Sequence, residues 1–265
     1  MDWLELFSAA LGGGAVVKLL EMVFGWKRED HLQKKETKRD AKLLVNKHLD
    51  PILKAGDDLV GKLRWLAQND FKELEGVDYG QRPPELEVAA FLYLFAEFWA
   101  RIQLLRREGI YVNLGVDDAG KKLLDFVRTL EERQTRLLER HAQRAIGDLM
   151  VVQNNPQPRV MSFHEFVTRL EADDATQNWF EPLIELMSRL RYKKVRQKLL
   201  VYGAVVHALL DTLDSEGLVA EQRPGWGNKL SSSSRQELEK RIFATYLGFV
   251  EGAEKYFSVG DVTKK

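Results

Sequence analysis

The chain has 265 residues, 45% hydrophobic and 30% charged, a composition that suits a folded, helix-rich protein with a core of one large or two small domains. Forty Lys and Arg cancel forty Asp and Glu, so no overall field draws nucleic acid or another polyanion, and an electrostatic partner must meet a local patch. With no cysteine, disulfides, thiolate nucleophiles and cysteine-ligated zinc or iron–sulfur centres are excluded.

The first segment, MDWLELFSAALGGGAVVKLLEMVFGW, is almost continuously apolar. Its uncharged stretch, Leu6 to Val17, has 12 residues and by length suits a buried or interfacial helix. With the charged positions included, Trp3 to Trp26 gives 24 residues, enough to cross a bilayer with some tilt, and its end tryptophans stand where an interfacial belt would place them. Ser8, Ala9 and Ala10 pair at four-residue spacing with Gly12, Gly13 and Gly14, a small-residue surface on which a second helix can pack closely. The leading expectation for residues 1–26 is a membrane-associating and oligomerising helix, against a soluble core helix or an oligomerisation helix in water. A cleaved signal peptide is disfavoured, because no basic region precedes the apolar part.

Residues 27–49 begin with KREDHLQKKETKRDAK, seven Lys/Arg against four Asp/Glu, a charged helical connector. Its basic excess next to the apolar segment would hold the remainder of the chain in the cytoplasm. Asp50-Pro51 is a helix-start signature, and Pro51 either restarts the helix or kinks one long helix that runs to about Leu74. Ile52, Leu53, Leu59, Val60, Leu63, Leu66 and Ala67 form its apolar side.

After the turn-rich GVDYGQRPP, the segment PELEVAAFLYLFAEFWARIQLLRR reads as a central bundle helix rather than a second membrane span, with Glu97 and Arg101 paired at i,i+4. IYVNL at 110–114 is the one brief strand-like run. A helix is expected from about Asp118 to Val151, with Gly147 as its candidate break, and QNNPQPR then reads as a loop. Capping boxes at Ser162/Glu165 and Ser234/Glu237 mark two further helix starts. Between them lie WFEPLIELMSRL and a helix from about Tyr192 to Leu213, and the last helix should end near Phe257. The expected fold is all-α: an N-terminal hydrophobic helix, the charged connector, a helical-bundle body at 50–257 and a flexible tail at 258–265.

HLDPILKAGDDLVGKLRWL, FLYLFAEFWARIQLLRREGIYVNLG, RAIGDLMV and KLLVYGAVVHALLDTLD together resemble an uncharacterised bacterial protein family with an N-terminal hydrophobic segment and a helical cytoplasmic body. The family has no established activity, so the resemblance implies a layout and carries over no site residue.

Candidate chemistry is sparse. GVDDAGKK, residues 115–122, fits the phosphate-loop spacing, but Lys122 replaces the hydroxyl residue and Asp117 and Asp118 would sit in the phosphate cradle, so a capped helix start is the better reading. Arg136 and His141 share the R-x4-H spacing of the all-helical HEPN ribonucleases, in which such residues from two protomers would stabilise phosphate charge and move protons. Arg159 and His164 repeat the spacing by chance in an Arg-rich chain, and Leu137 stands where HEPN members usually carry a polar residue. His31, His48, His141, His164 and His207 are scattered without ligand spacing; no metal and no cofactor is expected, and His207 reads as a core histidine. Arg189, Arg191, Lys193, Lys194, Arg196 and Lys198 form an acid-free run that could meet anionic headgroups, RNA or an acidic protein. On one helix, Arg189, Lys193 and Arg196 would share a face, with Val195, Leu199 and Tyr202 inward.

The expected function is a membrane-anchored helical interaction or scaffold protein of a bacterial inner membrane, non-catalytic and self-associating through its first helix, with a possible protein partner. A metal-independent HEPN-like ribonuclease using Arg136 and His141, and a soluble cytoplasmic adaptor, are the alternatives; nucleic acid is a less favoured partner than lipid or protein.

Overall fold

The computed structural model describes residues 14–74, 77–82, 84–153 and 157–259, with side chains from residue 32 onward. Ser8, Ala9, Ala10, Gly12 and Gly13 lie outside the described residues, as does most of the expected tail. Helix dominates, and the fold is all-α with one two-residue hairpin.

The first helix, α1, runs without interruption from Gly14 to Gln68, 55 residues, and contains Pro51 in its interior. At 1.5 Å per residue it is roughly 80 Å long. Asp50-Pro51 therefore does not start a helix. The missing N–H of Pro51 is carried by the packing around it: Ile52, Leu53, Leu59, Val60, Leu63, Leu66 and Ala67 are all buried, and such burial outweighs local propensity. The buried face begins earlier, at Ala41, Val45 and His48, inside the charged segment. Among the described side chains, residues 32–40 stay exposed except for half-buried Thr37. The helix ends well before Leu74, where Asp70 and Phe71 take positive φ of 51° and 62°. A left-handed phenylalanine is costly, and Phe71 is held there by burial and by the Arg196 guanidinium over its ring at 5.4 Å.

Helix α2, Leu86–Glu108, is the centre of the body and is buried on most sides, including Phe91, Phe95, Phe98 and Trp99. Glu97 and Arg101 pair at 2.8 Å as expected. IYVNL forms no strand: Gly109–Tyr111 and Leu114–Val116 are 3-10 turns, and Ile110 and Tyr111 face solvent with no strand beside them to pair with. Asp117 then caps α3, Asp118–Leu130, accepting from Gly120 N–H at 3.0 Å.

The long helix expected from 118 to 151 is broken, and not at Gly147. A turn at 131–139 separates α3 from α4, Arg140–Leu149. The break is paid for by Gln143, whose Oε1 accepts the N–H groups of Leu137 and Leu138 at 3.0 and 3.1 Å. Gly147 lies within α4 and serves close packing, since a Cβ there would fall 2.9 Å from the backbone C and O of Trp99. Val151–Val152 (β1) pairs antiparallel with Arg159–Val160 (β2) around the expected loop.

Ser162 and Glu165 form the expected capping box on α5, Phe163–Ala172. Helix α6, Asp174–Ser188, carries Pro182 inside it, and a 3-10 turn at Arg189–Arg191 leads to α7, Lys193–Leu213, whose residues 199–210 are buried without exception. The second capping box is displaced: Ser231, not Ser234, caps the helix Ser232–Gln236 (α8), with Ser234 N–H as the group it accepts from at 3.2 Å. α8 passes into a π-helical stretch, Glu237–Phe243, and a short turn, Ala244–Tyr246, so the last helix stops short of Phe257. A 3-10 turn, Ala253–Tyr256, then packs against α7.

Candidate functional site

An open groove of about 980 Å³ runs between the 131–139 turn with the start of α4 on one side and the end of α6 on the other. The first half of α7 forms its floor, and Ser231 to Glu237 close one end. Leu137, Leu138, Leu186, Val195 and Val201 give the lining an apolar base. Arg133, His141, Arg189, Lys193, Lys194 and Lys198 stand around it.

Four of the six basic-run residues meet here: Arg189, Lys193, Lys194 and Lys198. They do not share one helix, because Tyr192 is extended backbone and caps α7, so the single helical face expected for Arg189, Lys193 and Arg196 does not form. Arg191 instead stacks on the Tyr192 ring at 4.8 Å. Arg196 is a staple, donating to Leu190 O at 2.5 Å and Asp70 O at 3.0 Å. Arg189 faces Glu185 at 3.6 Å. Lys198 Nζ donates to Leu137 O at 3.1 Å, and its pKa is held below the ordinary lysine range, first by desolvation and then by the nearby Arg136 charge.

Arg136 and His141 do not lie on one helix. Arg136 belongs to the 131–139 turn and is engaged by Glu139 at 2.6 Å, while His141 is exposed on the first turn of α4 at the groove edge. Arg159 is taken up by Glu165 at 2.5 Å. In GVDDAGKK, Asp117 is the helix cap and Lys122 pairs with Asp118 at 2.9 Å, an arrangement with no phosphate cradle.

Two polar clusters lie deeper. Glu131, 7% exposed, receives Arg106 and Arg144 at 2.7 Å each, with Arg140 at 3.7 Å. Burial pushes its pKa up, but the hydrogen bonds from Arg144 and Arg106 outweigh this and keep the carboxyl below its ordinary range. His207, 2% exposed, is a core histidine stacked on Trp226, with Tyr256 against it edge-on. Its Nε2 lies 3.5 Å from Asp211 without making a hydrogen bond, and burial lowers its pKa, disfavouring the charged form. Asp211 is occupied by Tyr256 OH at 2.7 Å and Lys255 Nζ at 2.8 Å. No group of three or more metal-ligating side chains occurs among the described residues.

Arg133 and Ser231 were not singled out by sequence reading, and no local signal marks them: they reach the groove from segments far apart in the chain. Helix α2, extended to Tyr111, is long and apolar enough to cross a membrane, and 72% of its most apolar 18-residue window is buried inside the body. No protein-family model, curated protein or solved structure matches the chain.

Proposed function

We propose that the chain is a membrane-anchored, non-catalytic interaction protein whose first 26 residues associate with the bilayer and whose helical body stands on the cytoplasmic side. One observation carries the reading: α1 continues from Gly14 through the charged segment into the core, so whatever holds the N-terminal segment is coupled to the body by a helix rather than a flexible linker. Lys34, Lys35, Glu36, Lys38, Arg39 and Asp40 mix both signs of charge along its exposed portion, which suits a solvated stalk. Small residues at Ser8, Ala9, Ala10, Gly12, Gly13 and Gly14 supply a surface for self-association in lipid. The basic excess after Trp26 sets the orientation.

Fractionation tests the anchor. The full chain should sediment with membranes after gentle lysis and resist a high-salt wash, and a chain starting at residue 27 should stay in the supernatant. That truncation removes no residue of the core, which starts at Ala41 among the described side chains. Equal solubility of both forms would sink the anchor.

A further inference from the structure

The groove between α4 and α6 has a charge balance that the chain as a whole lacks. Arg133, Arg189, Lys193, Lys194 and Lys198 line it, against the carboxylates of Glu139, Glu185 and Glu237. Two of those carboxylates are already engaged, Glu139 by Arg136 and Glu185 by Arg189. Arg133, Lys193 and Lys194 are exposed and have no ion-pair partner among the described residues. Beside them Leu138, Leu186 and Val195 present partly exposed apolar surface, backed by buried Leu137 and Val201.

We propose that this groove docks an amphipathic helix with acidic flanks, supplied by another protein. The inference rests on the interaction-protein reading and gives that reading a partner chemistry. Size and lining decide between occupants of negative charge. At about 980 Å³ the groove is at the upper end of small-molecule pockets, and its mix of apolar and basic lining suits one face of an amphipathic helix. No Phe, Tyr or Trp lines it, and the exposed imidazole of His141 at its edge is a small part of the stacking surface on which single-stranded nucleic acid depends. An amphipathic helix satisfies both kinds of lining: apolar side chains at i, i+3, i+4 and i+7 cover the apolar surface, and carboxylates on its flanks meet Arg133, Lys193 and Lys194. The π-helical stretch starting at Glu237 sits at the closed end, a backbone form found often at functional sites.

The test uses the full chain in a neutral detergent and a fluorescein-labelled helical peptide with leucines at that spacing and glutamates on both flanks. Fluorescence anisotropy compares it with an isomer carrying lysine at every glutamate position. The acidic peptide should bind, bind at least tenfold more weakly at high salt, and lose at least tenfold in affinity with Lys193→Glu/Lys194→Glu. Those positions are exposed, and an unchanged circular dichroism melt will verify that the variant folds. Equal binding of the lysine isomer, or indifference to the double substitution, would overturn the proposal. So would lysine-dependent binding of an RNA oligonucleotide or phosphatidylglycerol-containing micelles with none of the peptide. Fractionation is a separate readout: a soluble full chain that binds the peptide overturns only the anchor, and a membrane-bound chain that ignores it overturns only the groove.

Discussion

Lys198 Nζ donates to the carbonyl oxygen of Leu137 at 3.1 Å, joining the floor of the groove to a turn that helical periodicity alone would have made part of a helix. Gln143 holds the same turn from the other side through two backbone N–H groups. Replacing Lys198 with Met keeps the stem and removes the donor. The expected loss is under about 1 kcal/mol, because relief of the ammonium's desolvation and of its repulsion by Arg136 offsets part of the lost hydrogen bond. Urea denaturation of the full chain measures it.

Glu131→Gln should cost more. It leaves Arg106 and Arg144, whose side chains are 28% and 43% exposed, facing a neutral amide, and solvent around the guanidinium groups brings the cost of the lost charge to about 1–2 kcal/mol, below that of a fully buried pair. The pH dependence has a defined sign. Because the folded-state pKa lies below the ordinary glutamate value of 4.5, the stabilisation is complete above that value and disappears as pH falls through the lowered folded-state pKa. Stability curves of wild type and Glu131→Gln should converge on acidification, and parallel curves down to strongly acidic pH would refute the assignment.

Pro51→Ala separates two descriptions of the first helix. If Pro51 began a helix, alanine would be neutral or harmful there. Inside a continuous α1 it restores an N–H donor and should raise stability by about 1–3 kcal/mol, visible as a higher melting temperature.

Gly147→Ala tests the contact between α4 and α2. The added methyl would fall against the Trp99 backbone, which cannot rotate away as a side chain could, so a loss of about 2 kcal/mol is expected by chemical denaturation.

The parts of this fold that follow local rules were legible in the sequence. The apolar side of α1, the buried run of α7, the Ser162–Glu165 capping box and the Asp117 cap depend on residues within a few positions of one another. The continuity of α1 through Pro51 was not legible, because packing from other elements decides it. The break at 131–139 was hidden for a related reason: its hydrogen bonds come from the side chains of Gln143 and Lys198, which no periodicity registers. The basic run at 189–198 was visible in the sequence, and four of its six residues line the groove. The groove's shape was not, since Arg133, His141, Leu186 and Ser231 converge only in the folded chain.

Because the chain has no cysteine, the proposed residence of the N-terminal segment in a bilayer, with the body outside it, is directly measurable. Single substitutions Ala10→Cys and Lys35→Cys in the full chain, in native membranes opened to the cytoplasmic side, can be probed with a membrane-impermeant maleimide before and after detergent. The account predicts that position 35 labels at once and position 10 labels only after the detergent is added. Equal labelling of both positions without detergent would contradict it.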